Sequence, residues 1–111
     1  MRKVKIQIKD KEYTLEMNRE SIKWLESNGF VIADFDKKPI TYYDLLWHSL
    51  FLKNHPSVSA NLAIKLMDEY IEEGNSASAV LNFAVEEYSN FINALADTNS
   101  KKKTKLEIIT E

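Results

Sequence analysis

Apolar and polar residues alternate through "KVKIQIKDKEYTLEMN", residues 3–18. Val4, Ile6 and Ile8 point one way and Lys3, Lys5, Gln7 and Lys9 the other, the period-two mark of a half-buried strand. Tyr13, Leu15 and Met17 repeat it. A two-residue turn at Asp10-Lys11 sets Ile8 opposite Tyr13, Ile6 opposite Leu15 and Val4 opposite Met17, with Lys9 meeting Glu12 and Lys5 meeting Glu16 on the other face. Each opposite-charge pair of this kind contributes about 0.2–1 kcal/mol, and a one-residue slip would turn one apolar set to water. The pattern predicts a β-hairpin over residues 3–17. A lone hairpin is marginal in water, so its apolar face must rest on helices.

Beyond Met17 the period changes. Asn18 reads as the N-cap of a helix over about 19–28, with Glu20 in the first turn and Ile22, Leu25 and Trp24 toward the buried side. Gly29 in "SNGF" is the expected left-handed residue after the helix, with Phe30 folding back on the last turn. Residues 30–40 form a connection with some apolar content, through which Pro39 lets no helix run. Thr41 and Asp44 imitate a capping box, opening a second helix over about 42–54 that is apolar nearly all round and therefore central. "NHP" stops it. Ser57 or Ser59 caps a third helix, about 60–73, with Ala63, Leu66, Met67, Tyr70 and Ile71 as its stripe and Gly74 at its end. Ser76 opens a fourth, about 77–96, in which Leu81, Ala84, Val85, Tyr88, Phe91, Ile92 and Leu95 recur at three- and four-residue steps. That period is lost in "DTNSKKKTKLEIITE", where "KLEIITE" has the makings of an edge strand, a docking peptide or disorder.

These elements define an α+β, mainly α fold: an N-terminal hairpin packed on about four helices in one globular domain, residues 1–97, with a charged C-terminal tail over 98–111. The 111 residues suit one compact domain. With 44% apolar and 29% charged residues the chain can build a core. Fifteen basic against 17 acidic residues leave a net charge of -2, no electrostatic footprint for nucleic acid. Without cysteine there are no disulfides, thiolate zinc sites or thiol nucleophile. No apolar run has the roughly 20 residues that span a bilayer, and the alternating start is unlike a signal peptide, so the expected compartment is the cytoplasm.

Candidate chemistry concentrates in "WHSLFLKNHPSVS", residues 47–59, which holds both histidines. On a continuous helix Asp44, His48 and His55 would fall within about 40° of one another. His55 would stand about 10 Å along the axis from His48, too far for one zinc ion with bonds of about 2.0–2.1 Å to take both. The structural reading is a helix and its stop signal, with His55 at the C-terminal end, where the helix dipole favours its cation. Asp68, Glu69, Glu72 and Glu73 read as a solvated face, and "KKKTK" as a solvated linker. No catalytic residue, metal or cofactor is expected. Trp24, Tyr42, Tyr43, Trp47 and Phe51 form an aromatic cluster, mostly core. A helix so apolar in so short a chain exceeds what its neighbours cover, which makes Trp47, Phe51 and Tyr43 the candidate anchors for a protein partner.

The phrases "YTLEMNRESIKWLE", "NGF" and "FLKNHP" after an aromatic-rich helix, in this order of elements, carry a resemblance over most of residues 4–96. The chain resembles the small tail assembly chaperones of long-tailed bacteriophages and prophages, particularly of Gram-positive hosts. The resemblance implies a non-enzymatic protein of the bacterial host cytoplasm, absent from the mature virion. It would bind the long, helical, aggregation-prone tape measure protein during tail tube polymerisation, and some such families make a longer product by ribosomal frameshifting. An amphipathic helix in a groove between the second and fourth helices, with Trp47 and Phe51 as anchors, would suit that role. A homo-oligomer is the other way to cover the patch. A small regulatory or inhibitory binding protein, of antitoxin or anti-defence type, shares the same features. An enzyme would require Asp44, His48 and His55 to converge on one pocket.

Overall fold

Strand β1 (Lys3–Ile8) and strand β2 (Lys11–Glu16) form an antiparallel pair in the computed structural model, which describes residues 2–96. The register sets Lys3 opposite Glu16, Val4 opposite Leu15, Ile6 opposite Tyr13 and Ile8 opposite Lys11. The turn is therefore Lys9-Asp10, not Asp10-Lys11, and every expected pairing moves by two residues. Both turn residues lie in the left-handed region, with φ of 46° and 65°, as in the mirror-image turns whose twist matches the strands. A two-residue shift leaves the apolar set on the same face, so the hydrophobic pattern fits either register. The neighbours distinguish them: the Lys9 N–H donates to Glu73 (2.8 Å), its ammonium lies 3.8 Å from Glu69, and the Glu16 N–H donates to the Leu50 carbonyl (3.1 Å). Lys5 consequently faces Glu12 at 3.7 Å, while Glu16 turns to Lys53 at 3.3 Å.

Helix α1 (Arg19–Ser27) starts as expected. The Asn18 side chain accepts from the Ser21 N–H (2.8 Å), and Ser21 Oγ accepts from the Asn18 N–H (3.2 Å). The helix closes in a Schellman turn: Gly29, at φ 83°, donates to the Glu26 carbonyl, and Phe30 donates to that of Leu25. A 3₁₀ segment, Ile32–Lys37, follows where the sequence suggested an irregular connection.

Helix α2 (Pro39–Ser49) differs from expectation at both ends. Pro39 occupies its first turn, where the missing N–H costs nothing and φ is already helical. The Thr41-Asp44 capping box is not formed, because both residues already lie inside the helix. At the other end the helix stops five residues before the predicted 54. Leu50, Phe51 and Leu52 donate three residues back, and the Leu50 carbonyl is taken by the hairpin. Helix α3 (Ala60–Glu72) is capped by Ser59, whose Oγ accepts from the Leu62 N–H (3.2 Å), and Gly74 follows it at φ 92°. Helix α4 (Ala77–Ala96) completes the described residues. The tail predicted over 98–111 lies outside them.

The core joins Ile6, Ile8, Tyr13, Leu15 and Met17 of the hairpin region to Leu46, Trp47, Leu50 and Phe51, and beyond them to Ala63, Leu66, Val80, Leu81 and Ala84. Helix α2 packs against α1, α3, α4 and the 3₁₀ segment, which is why it is apolar nearly all round. The stripes of the outer helices are only partly used. Ile71 is exposed on α3, as are Ile92 and Leu95 on α4, whereas Glu87 is buried. Among the described residues no helix is long and apolar enough to cross a membrane.

Candidate functional site

The 3₁₀ segment, α2 and α4 leave an open apolar groove of about 220 Å³, lined by Ile32, Phe35, Tyr43, Leu81, Asn82 and Val85. The local sequence explains the shape. "FVIADF" turns too tightly to bury all its apolar side chains, so Phe30 goes inward and Val31 and Ile32 stay 48% and 42% exposed. The floor is rigid. Phe30 packs against Tyr88 and Tyr42, with centroids 5.2 and 5.0 Å apart, and Phe35 meets Tyr43 edge-on at 5.0 Å. The buried Tyr42 hydroxyl donates to the Gly29 carbonyl at 3.4 Å. Burial, then the Glu26 carboxylate, pushes the Tyr88 phenol up, so it stays a neutral part of this aromatic chain.

Of the three expected anchors only Tyr43 reaches this surface, at 37% exposure. Trp47 and Phe51 are 0% exposed and packed together at 5.4 Å, with Tyr13 and Tyr70 on either side. Neither touches a partner from inside the folded chain. The apolar surface in excess of the core comes from Val31 and Ile32, from Ile40 and Tyr43 in the first half of α2, and from the outer helices. Ile32, Phe35, Leu81 and Val85 were missed as a group because they come from separate elements; the apolar content of residues 30–40 was the available signal.

Asp44, His48 and His55 do not converge. Asp44 and His48 line a separate cavity of about 230 Å³ with Trp24, Asn28, Thr41, Leu45, Ala60 and Ile64. His48 Nε2 lies 2.9 Å from the Val58 carbonyl, and its ring meets Trp24 edge-on at 4.8 Å. Partial burial, then the charge of Asp68, raises the Asp44 carboxyl above its usual range. His55 lies against the hairpin instead. The Thr14 N–H donates to its Nε2 (3.1 Å), and Tyr13 packs edge-on against its ring at 5.0 Å. Burial, then Lys11, holds this imidazole below its ordinary value. An accepting Nε2 also requires the neutral ring, so the expected cation at a helix end is replaced by a neutral clasp on β2. Among the described residues no three His, Asp or Glu side chains gather to hold a metal ion.

Glu87, like Glu16, is a buried carboxylate that the pattern did not anticipate. It accepts from the Arg2 N–H (2.6 Å) and Nε (3.2 Å), tying the first described residue to α4.

A family model described as a domain of unknown function, DUF5055, matches residues 1–111, and the chain belongs to that family. No curated protein and no solved structure matches it.

Proposed function

We propose that this member of the DUF5055 family is a non-enzymatic phage tail assembly chaperone that holds the tape measure protein during tail morphogenesis, acting in the host cytoplasm and absent from the finished virion. The observation that carries this reading is the groove of Ile32, Phe35, Tyr43, Leu81 and Val85, flanked by exposed Val31. Apart from Asn82 its lining is apolar and aromatic, which suits the apolar stripe of an amphipathic helix. A long helical protein awaiting assembly exposes such stripes repeatedly. The resemblance in "YTLEMNRESIKWLE" and "FLKNHP" supplies the class of partner, and the groove supplies a means of holding it.

The test is co-expression with the tape measure protein of the same phage. The wild-type chain is expected to raise the soluble fraction of that protein and to co-purify with it. Ile32→Asp with Tyr43→Ala is expected to abolish both effects while the variant itself stays folded. Equal insolubility of the tape measure protein with and without the chain would sink the proposal. A stable complex with a neighbouring toxin or nuclease instead would favour a regulatory binding protein, and a concentration-dependent dimer lost in the same variant would assign the groove to a second copy.

A further inference from the structure

Asp44 is the only acid in α2, and the helix has no lysine or arginine. The residue does not lie on open surface. With Thr41, Leu45 and His48, at three- and four-residue steps, it shares the face of α2 that turns to the second cavity, of about 230 Å³. Trp24 of α1 and Ile64 of α3 stand on the other sides. Three helices thus bring an aromatic wall, an aliphatic wall and a single carboxylate to one enclosure.

That carboxylate has no counter-charge. Among the described residues the ion pairs lie elsewhere, and neither Asp44 nor Asp68 enters one. The charge of Asp68 bears on Asp44 from α3 and adds to the effect of its partial burial. His48 does not compensate. A carbonyl can only accept, so His48 Nε2 carries a proton and spends it on Val58 at 2.9 Å. A cation entering the cavity therefore meets the field of two carboxylates and displaces no internal partner.

The walls select the kind of cation. Among the described residues no three His, Asp or Glu side chains gather, so a metal ion lacks the oxygen ligands it needs. An indole beside a carboxylate suits an organic cation, whose charge is drawn both to the ring face and to the oxygens. Leu45 and Ile64 offer an apolar surface to an alkyl stem, as the stems of lysine and arginine use elsewhere. The volume lies below the roughly 300–1,000 Å³ of pockets for drug-sized ligands, and fits a group the size of one side chain.

We propose that the cavity between α1, α2 and α3 binds an alkylammonium or alkylguanidinium group, with Asp44 as its counter-ion and Trp24 as its aromatic wall. This inference is independent of the groove. The test is an NMR titration of the full chain near neutral pH with n-butylammonium, n-butylguanidinium and 1-butanol at constant ionic strength. The cations are expected to bind at least ~5-fold more tightly than the alcohol. They should shift the Trp24 indole N–H and leave that of Trp47, which is sealed in the core. Asp44→Asn is expected to bring cation and alcohol to equal affinity, and Asp68→Asn to reduce the preference by less. Asp68 is exposed, so its variant serves if the backbone spectrum shows Asp44→Asn unfolded. A capped tripeptide with a central lysine distinguishes the source of the group. Binding as tight as n-butylammonium assigns the site to a side chain of a polypeptide, and exclusion of the peptide assigns it to a free amine; both uphold the site. Equal binding of alcohol and cations in the wild type overturns the proposal, because the cavity would then be merely apolar. An unmoved Trp24 signal with both cations does the same, as does a preference that neither aspartate substitution lowers.

Discussion

Trp47 and Phe51 show how a side chain's type leaves its role open. Both are large aromatics on or just beyond a helix apolar on most sides, and both suit an interface as well as a core. Their neighbours decide, and here the neighbours close over them completely. Truncating either, as Trp47→Ala or Phe51→Ala, is expected to lower the unfolding free energy by about 3–5 kcal/mol. The change is read from the urea midpoint at constant m-value. Ile32→Asp, on the exposed rim, is expected to stay within about 0.5 kcal/mol of wild type. An unmoved midpoint in Trp47→Ala would return that residue to the list of surface anchors. Asn18, Gly29 and Ser59 were legible because each acts within one turn of chain, through a side-chain cap or a positive φ. His55 was not, because its partner, the Thr14 N–H, is 41 residues away.

Among the elements, the hairpin separates what a pattern fixes from what it leaves free. Alternation gave the two strands and their buried face, since a one-residue slip would be ruinous, but a two-residue shift preserves both. The turn at Lys9-Asp10 holds two non-glycine residues at positive φ, a conformation costing roughly 1–2 kcal/mol per residue for ordinary side chains. Lys9→Asn with Asp10→Gly is expected to raise the stability of the whole chain by about 1 kcal/mol, because this pair favours that turn. Thermal unfolding checks it, and a lowered Tm would argue for the turn at Asp10-Lys11. The early end of α2 has a similar origin. Nothing local in "SLFLKN" stops a helix; the carbonyl of Leu50 is drawn off by Glu16 of the hairpin.

For the whole molecule, the hairpin and helices share one core, and their polar ties give stability a definite pH dependence. His55 has its folded pKa lowered, first by burial and then by Lys11. Its contribution is complete above the unfolded value of about 6.5 and is lost as pH falls through the lower folded value. Glu16 is lowered too, first by the Asn54 hydrogen bond against the opposing effect of burial, so its contribution fades further down, below about 4.5. Asp44 has the opposite sign. Its raised pKa contributes stability below the unfolded value, lost as pH rises through the folded one. The urea midpoint is therefore expected to fall as pH drops from about 7.5 toward 5, and His55→Gln is expected to flatten that slope. An unchanged slope in His55→Gln would show that the clasp on β2 does not depend on the neutral ring.

The sequence by itself determined the α+β class, the hairpin's buried face, the order of the helices, three of their caps or stops and the centrality of α2. Those features depend on periodicity and on bonds that close within a few residues. The tertiary structure alone decided the hairpin register, the end of α2, the neutral state of His55, the burial of Glu87 and the location of the surplus apolar surface. Each of these is set by a partner distant in the chain, and a one-dimensional pattern records how much apolar surface exists without recording which neighbour covers it.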